Sequence, residues 1–179
     1  MKVIGITGGI GAGKSEVLKY LSDNYKCEII MTDDVAKSLY YKGSKAYQMI
    51  TMLFGDDVLD VNREIDKKKL AEIIFASPNK RAALDSIVHP LVKQEVITKV
   101  TNNRIENRLD YTFVESALLL DDHYEVFCDE VWYIYANEEV RKKRLKLSRG
   151  YSEEKIEDMF REMIAGPGAV KATIHKYVK

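Results

Sequence analysis

Directly after the short apolar run Val3-Ile4-Gly5-Ile6-Thr7, residues 8–15 read Gly-Gly-Ile-Gly-Ala-Gly-Lys-Ser. A glycine, four residues and then Gly13-Lys14-Ser15 is the spacing of a phosphate-binding loop set between a strand and a helix. Glycines let backbone N–H groups turn inward around a polyphosphate, and the helix opening at Lys14 aims its positive end at it. Lys14 is then expected to bridge the outer phosphates, and the Ser15 hydroxyl to bind Mg²⁺. The candidate nucleotide contacts are Gly9, Ile10, Gly11, Ala12, Gly13, Lys14, Ser15 and Glu16. A glycine-rich turn without a ligand is the plain alternative, and a nucleoside triphosphate is the stronger reading.

The remaining composition narrows the partners. The chain of 179 residues suits one domain with a substantial core. Lys+Arg and Asp+Glu are balanced at 28 each, so no global field calls for nucleic acid or a membrane surface. The basic cluster Arg141-Lys142-Lys143-Arg144 falls on a predicted helix, where a solvated face is its plain reading. Cys27 and Cys128 are too few for a disulfide framework or a thiolate metal site. His89, His123 and His175 show no metal-ligand spacing. Nothing at the N-terminus resembles a signal peptide, and no apolar run approaches a membrane span, so a cytoplasmic protein is expected.

Periodicity predicts a strand at Lys2 to Ile6 and a helix from about Lys14 to Asn24, with Val17, Leu18 and Leu21 on one face. Glu28 to Met31 reads as a second strand ending in Thr32-Asp33-Asp34. From Val35 to Phe54 the pattern is helical, broken near Gly43-Ser44. Asp66 is a plausible N-cap before Leu70, Ile73 and Ile74, and Ser77-Pro78 reads as a cap plus first-turn proline. His89-Pro90 reads as a break, followed by a helix carrying Leu91, Val92, Val96 and Val100. Strand character returns at Tyr111 to Glu115 and at Glu130 to Ala136. Asn137 then caps a basic helix through Leu147, Ser148 to Tyr151 form a turn, and Ser152 opens a charged helix to about Ile164 that Gly166-Pro167-Gly168 ends.

Strands alternating with helices predict an α/β fold, a parallel sheet covered by helices on both faces. The helical block between the second and third strands is too long for a simple crossover and is expected to cover a substrate. The expected single domain thus has a core of about 1–38 and 108–147, a helical substrate subdomain of about 39–107, and a lid of about 144–164.

Three classes compete for such a loop: a small-molecule kinase, a GTPase switch and a nucleotide-binding module without catalysis. A guanine-reading Asn-Lys-x-Asp segment is missing, because Asn79-Lys80 is followed by Arg81-Ala82. No aspartate has glycine three residues on, which also disfavours the GTPase class. A kinase of an alcohol needs a carboxylate beside the acceptor hydroxyl, in line with the γ-phosphate. Asp33 and Asp34 stand where such a group can reach, and a role as helix N-caps or first-turn acids is their equal alternative. Arginines on a lid exclude water and neutralise transferred charge; Arg144 and Arg149 suit that task or a solvated surface.

These residues together resemble the dephospho-coenzyme A kinases, a resemblance that runs from Lys2 to about Ile164. It begins in Gly5-Ile6-Thr7-Gly8 through Ser15. Asp33, followed by Ala36-Lys37, matches the last aspartate of the family's Asp-Ala-Asp segment. Gly43, Ala46-Tyr47, Phe54-Gly55, Leu59, Ile65-Asp66 and Leu70 continue the match. Ile74-Phe75 and Leu84 through His89-Pro90 are similar to its His-Pro segment. Val114-Glu115-Ser116-Ala117-Leu118-Leu119-Leu120-Asp121 is similar to its Pro-Leu-Leu strand end, and Ser148 through Ile156 to its lid.

The chain departs from that pattern at five places. Met31 stands where the first aspartate of the Asp-Ala-Asp segment is expected, and Ala117 replaces the proline. Arg149 is one position from the usual lid arginine, and no glutamine follows Gln94. The family's C-terminal segment near the adenine is expected to stop short at Val178-Lys179.

The resemblance implies a nucleoside-monophosphate-kinase-like fold with a helical substrate-binding insertion and lid. It also implies ATP and dephospho-coenzyme A as substrates, Mg²⁺ as cofactor, and transfer to the ribose 3′-hydroxyl in the last step of coenzyme A biosynthesis. Asp33, Lys14, Arg144 and Arg149 are then the expected catalytic residues, with Asp33 as base. Arg81, His89 and Lys93 join Asp33 on the acceptor side, and for His89 a packed helix-start residue is the alternative. A monomer or weak homo-oligomer is expected. A kinase of another small alcohol or nucleotide, or a degenerate ATP-binding module, are the competing functions.

Overall fold

Five consecutive buried residues, Val3 to Thr7, put β1 (Lys2–Thr7) in the middle of the sheet. It pairs in parallel with β3 (Tyr111–Glu115) on one side and β4 (Glu130–Tyr133) on the other, and β2 (Cys27–Met31) completes the order β2-β3-β1-β4. A strand flanked on both edges and covered on both faces needs apolar residues without alternation, and Val3-Ile4-Gly5-Ile6 supplies them. The register sets Ile4 beside Phe113 and Glu130, and Ile6 beside Glu115 and Trp132. The computed structural model describes residues 1–165, with side chains to Arg161. The predicted stop at Gly166-Pro167-Gly168 and the Val178-Lys179 end lie outside the described residues.

The chain divides into two units. Met1–Ile29 and the chain from Asn103 form the first, which holds β1, β3, β4 and α1 (Lys14–Asn24). Leu18 and Leu21 of α1 pack on Ile4, Ile6 and Phe113, with Val17 and Trp132 at the margin. Two further helices of this unit, α6 (Glu138–Arg149) and α7 (Glu153–Ala165), meet through Leu145, Ile156 and Phe160. Ile10 of the glycine loop and Tyr151 close over that cluster.

Residues 30–102 form the second unit. It contains α2 (Thr32–Ser38), α3 (Lys45–Phe54), α4 (Lys67–Phe75) and most of α5 (Pro78–Glu106). Local capping explains its boundaries. Ser44 Oγ accepts from the Tyr47 N–H at 2.9 Å, and Asp66 Oδ1 from the Lys68 and Lys69 N–H groups at 2.9 and 3.2 Å. Each bond satisfies an amide that the first helical turn leaves without an intrahelical partner. Ser77 Oγ accepts from the Lys80 N–H at 3.4 Å where Pro78 opens α5. Between α3 and α4, Leu59 and Ile65 form an antiparallel bridge, and Arg63 grips Asp56 at 3.0 and 3.2 Å.

Four elements depart by several residues from the bounds the sequence predicts. Instead of a break at His89-Pro90, α5 runs unbroken through Pro90. A buried stripe of Leu84, Val88, Val92, Val96 and Val100 outweighs the single backbone bond that proline cannot donate. The strand at Glu130 ends at Tyr133 rather than Ala136. The Ile134 N–H donates to the Thr7 carbonyl at 2.8 Å, and there β1 turns away, so the later residues lose their pairing partner. The helix predicted from Val35 begins at Thr32 and closes at Ser38, which makes Asp33 and Asp34 first-turn acids, one of the two placements the sequence allows. Finally, α6 continues to Arg149 and ends at Gly150, consuming most of the predicted turn.

Candidate active site

The chain leaves β1 toward the β2 edge and leaves β3 toward the β4 edge, so the order reverses between these two adjacent strands, and ligands of open parallel sheets bind beyond the carboxyl ends of strands at such a reversal. The glycine loop occupies that place, running from the end of β1 to the start of α1. Its entry fits closely. Gly8 has φ of 149°, and a Cβ there would lie 2.3 Å from the Ile134 carbonyl oxygen. No side chain fits, so glycine at this position is a steric requirement. The Ala12 N–H closes a turn onto the Gly9 carbonyl at 3.1 Å. Gly13 occupies the N-cap of α1 without any side-chain hydrogen bond to the helix. The first amides of α1 therefore carry no side-chain cap, an arrangement that suits an anion.

Lys14 folds back along the loop. Its Nζ donates to the Gly8 carbonyl at 2.6 Å and lies 3.7 Å from Glu115 Oε1. Glu115 is buried at the end of β3, level with Ile6. Ser15 and Glu16 are exposed in the first turn of α1. From α6, Arg144 Nη1 donates to the Ala12 carbonyl at 2.8 Å, and Arg141 Nε donates to the Ile10 carbonyl at 2.8 Å. The structure thus brings together the loop, Lys14 and Arg144. Arg149 is set apart from them as the last residue of α6, where its guanidinium holds the Tyr151 phenol below its ordinary pKa.

The expected acceptor-side residues belong to the second unit. Asp33 is exposed in the first turn of α2, and the neighbouring Asp34 pairs with Lys37 at 2.7 Å. Arg81, His89 and Lys93 fall at multiples of four residues along α5, with Asp85 completing the ladder. His89 Nε2 lies 3.8 Å from Asp85 Oδ1.

Sequence reasoning missed two residues of the loop's surroundings. Glu115 carried a signal, an acid closing an apolar strand, but only the sheet order puts it beside the loop. Arg141 lay within the basic cluster, which the fold splits. Lys142 pairs with Glu138 and Glu157, as a solvated face would, while Arg141 and Arg144 turn to the loop.

The oxygen chemistry of this site can hold a hard cation only in part. Among the described residues no group of three or more His, Cys, Asp or Glu could hold a metal alone. A hydroxyl at Ser15 and a carboxylate at Glu115 fit Mg²⁺, which typically takes one or two protein ligands plus substrate phosphates. No helix among the described residues is long and apolar enough to cross a membrane.

The sequence model of the dephospho-CoA kinases matches residues 2–167. A dephospho-CoA kinase of Staphylococcus epidermidis is 36% identical over 144 residues, 80% of this chain and 70% of that protein. One from Streptococcus agalactiae is 31% identical over 156 residues, 87% of this chain and 78% of its own. The crystal structure of TT1252 from Thermus thermophilus superposes with a TM-score of 0.70 at 27% identity, covering 89% of this chain and 78% of that one. The dephospho-CoA kinase from Campylobacter jejuni shares the fold, with a TM-score of 0.64 at 24% identity over 92% and 82% of the two chains. A phosphate loop rooted in the central strand of a parallel sheet, and a family match over nearly all the described residues, lead to one conclusion: the chain belongs to the dephospho-CoA kinase family.

Proposed function

We infer that this chain transfers the γ-phosphate of ATP to the ribose 3′-hydroxyl of dephospho-coenzyme A, giving coenzyme A and ADP. Family membership supports the acceptor. The observation that carries the donor side is the glycine loop, with Lys14 fixed across its mouth by the Gly8 carbonyl and Glu115.

In this reading the loop amides and Lys14 hold the β- and γ-phosphates. Ser15 and Glu115 are the residues that would hold Mg²⁺, which when bound neutralises charge on the phosphates. Asp33 orients the acceptor hydroxyl and takes its proton. Arg144 has a guanidinium already on the loop and turns toward the transferred charge, and Arg149 closes from the end of α6. Arg81, His89 and Lys93 present one polar stripe to the coenzyme. The chain works in the cytoplasm as a monomer or weak homo-oligomer.

An acceptor panel tests the reading. With labelled ATP and Mg²⁺, dephospho-coenzyme A should be consumed rapidly, while nucleosides and other small alcohols are left. Equal or faster phosphorylation of a nucleoside would replace this acceptor, and ATP binding without any acceptor-dependent ADP release would remove the kinase assignment.

A further inference from the structure

We propose that Arg141 is a positioning residue for the phosphate loop, holding the Ile10–Gly11 peptide in the orientation that receives a triphosphate; this rests on the loop being the ATP site. Arg141 Nε donates to the Ile10 carbonyl at 2.8 Å across 131 residues of sequence. The described peptide bonds are all trans. In a trans peptide the C=O and the following N–H point in opposite directions. Turning the Ile10 carbonyl toward α6 therefore turns the Gly11 N–H to the other side of the loop. Arg144 does the same at the next alternate peptide, where the Ala12 carbonyl accepts at 2.8 Å and the Gly13 N–H faces away, with a longer contact of 3.5 Å from the same Nη1 to the Gly11 carbonyl between them. Two amides are thereby aimed in one sense from a helix that is distant in sequence.

Arg141 is held firmly enough to do this. Its guanidinium stacks over the Phe160 ring, 4.3 Å from the centroid, and Phe160 is itself buried between α6 and α7. It also lies against Gly9, where a Cβ would come within 2.6 Å of Nη2. The α6 backbone is as close, since a Cβ on Gly11 would lie 3.0 Å from the Arg141 carbonyl oxygen. The arginine thus fills a slot between the loop glycines and an aromatic floor, and cation–π attraction adds to its hydrogen bond. A loop already ordered in this way avoids an ordering cost when the triphosphate binds.

Substitutions separate the hydrogen bond from the charge. Glutamine places an amide nitrogen at the same point along the side chain as Nε; lysine keeps the charge but has a methylene there, and methionine has neither. Direct titration of ATP into the purified full chain, without acceptor, should show affinity lowered about tenfold for Arg141→Met and Arg141→Lys. Arg141→Gln should stay within about threefold of the unsubstituted chain. In steady state the ATP KM should follow the same order while the dephospho-coenzyme A KM holds. Rescue by lysine but not glutamine would overturn the proposal, because charge alone would then be acting. Unchanged ATP affinity in all three variants, or lowered Tm with unchanged affinity, would overturn it too. If Arg141→Met fails to fold, the glutamine–lysine comparison still decides. An unsubstituted chain that binds ATP but leaves dephospho-coenzyme A untouched would overturn the functional reading alone; one that binds no ATP would overturn both.

Discussion

Lys14 Nζ lies 3.7 Å from Glu115 Oε1, with the two side chains only 17% and 10% exposed. The cation at the loop mouth is thus balanced by a carboxylate from a neighbouring strand and held by the Gly8 carbonyl. A triphosphate meeting such a lysine spends little side-chain entropy in fixing it. The pair also ties nucleotide chemistry to folding stability, because removing one member takes an opposite charge away from the other where both are largely buried.

Lys14→Met should therefore abolish ATP binding and also destabilise the fold by about 1–3 kcal/mol in urea denaturation. Adding Glu115→Gln should return part of that stability but none of the binding. A double variant no more stable than Lys14→Met would show that the two groups are not coupled.

Asp33→Asn keeps the shape of the side chain and removes the base. Turnover should fall about 10²–10⁴-fold, the usual worth of general-base assistance. ATP affinity, measured by titration, should change less than about twofold, because the loop and not Asp33 carries it. Retained turnover would rule Asp33 out as the base.

Burial pushes the Cys128 thiol from 9.0 up to about 12, with Asp129 and Glu125 adding to the shift. At pH 8 its thiolate fraction is then about 10²–10³-fold below that of a free cysteine, so iodoacetamide should label it only after unfolding. The same shift has a stability sign. Below pH 9 both states hold the proton; above it the unfolded chain releases a proton that the folded chain keeps, so stability falls as pH rises toward 12. Urea midpoints measured from pH 8 to 11 should decline less steeply in Cys128→Ala than in the unsubstituted chain.

Pro90 interrupts the backbone ladder of α5 without ending the helix. Pro90→Ala restores an N–H donor to the Ser86 carbonyl and should stabilise the chain by about 1–3 kcal/mol, read as a higher urea midpoint. Loss of turnover in a variant so stabilised would give the proline a functional role, which a purely structural reading does not predict.

Features fixed within a few residues were legible in the sequence. The glycine loop, the caps at Asp66, Ser77 and Asn137, and the strand from Tyr111 to Glu115 each depend on neighbours in the chain. Pro90 misled because the stripe from Leu84 to Val100 acts along much of a helix of 29 residues, whereas a helix-breaking signal is local. The end of β4 is decided by where β1 turns away, a fact held by another strand. For the same reason Glu115 and Arg141 escaped notice: each meets the loop only through the sheet order or the packing of α6. Sequence supplied the phosphate grip, and tertiary structure supplied what braces it.

Rooting the glycine turn in the innermost strand has a mechanical consequence. The β1 amides are paired with β3 and β4 on both edges, so their protons should exchange with solvent only when the entire molecule opens. Any rearrangement around bound ligands must then be borne by peripheral segments, leaving the phosphate seat as the fixed anvil. Deuterium uptake at Ile4 and Ile6 would slow in step with nucleotide occupancy, turning this strand into a built-in gauge of how tightly the molecule grips its ligand.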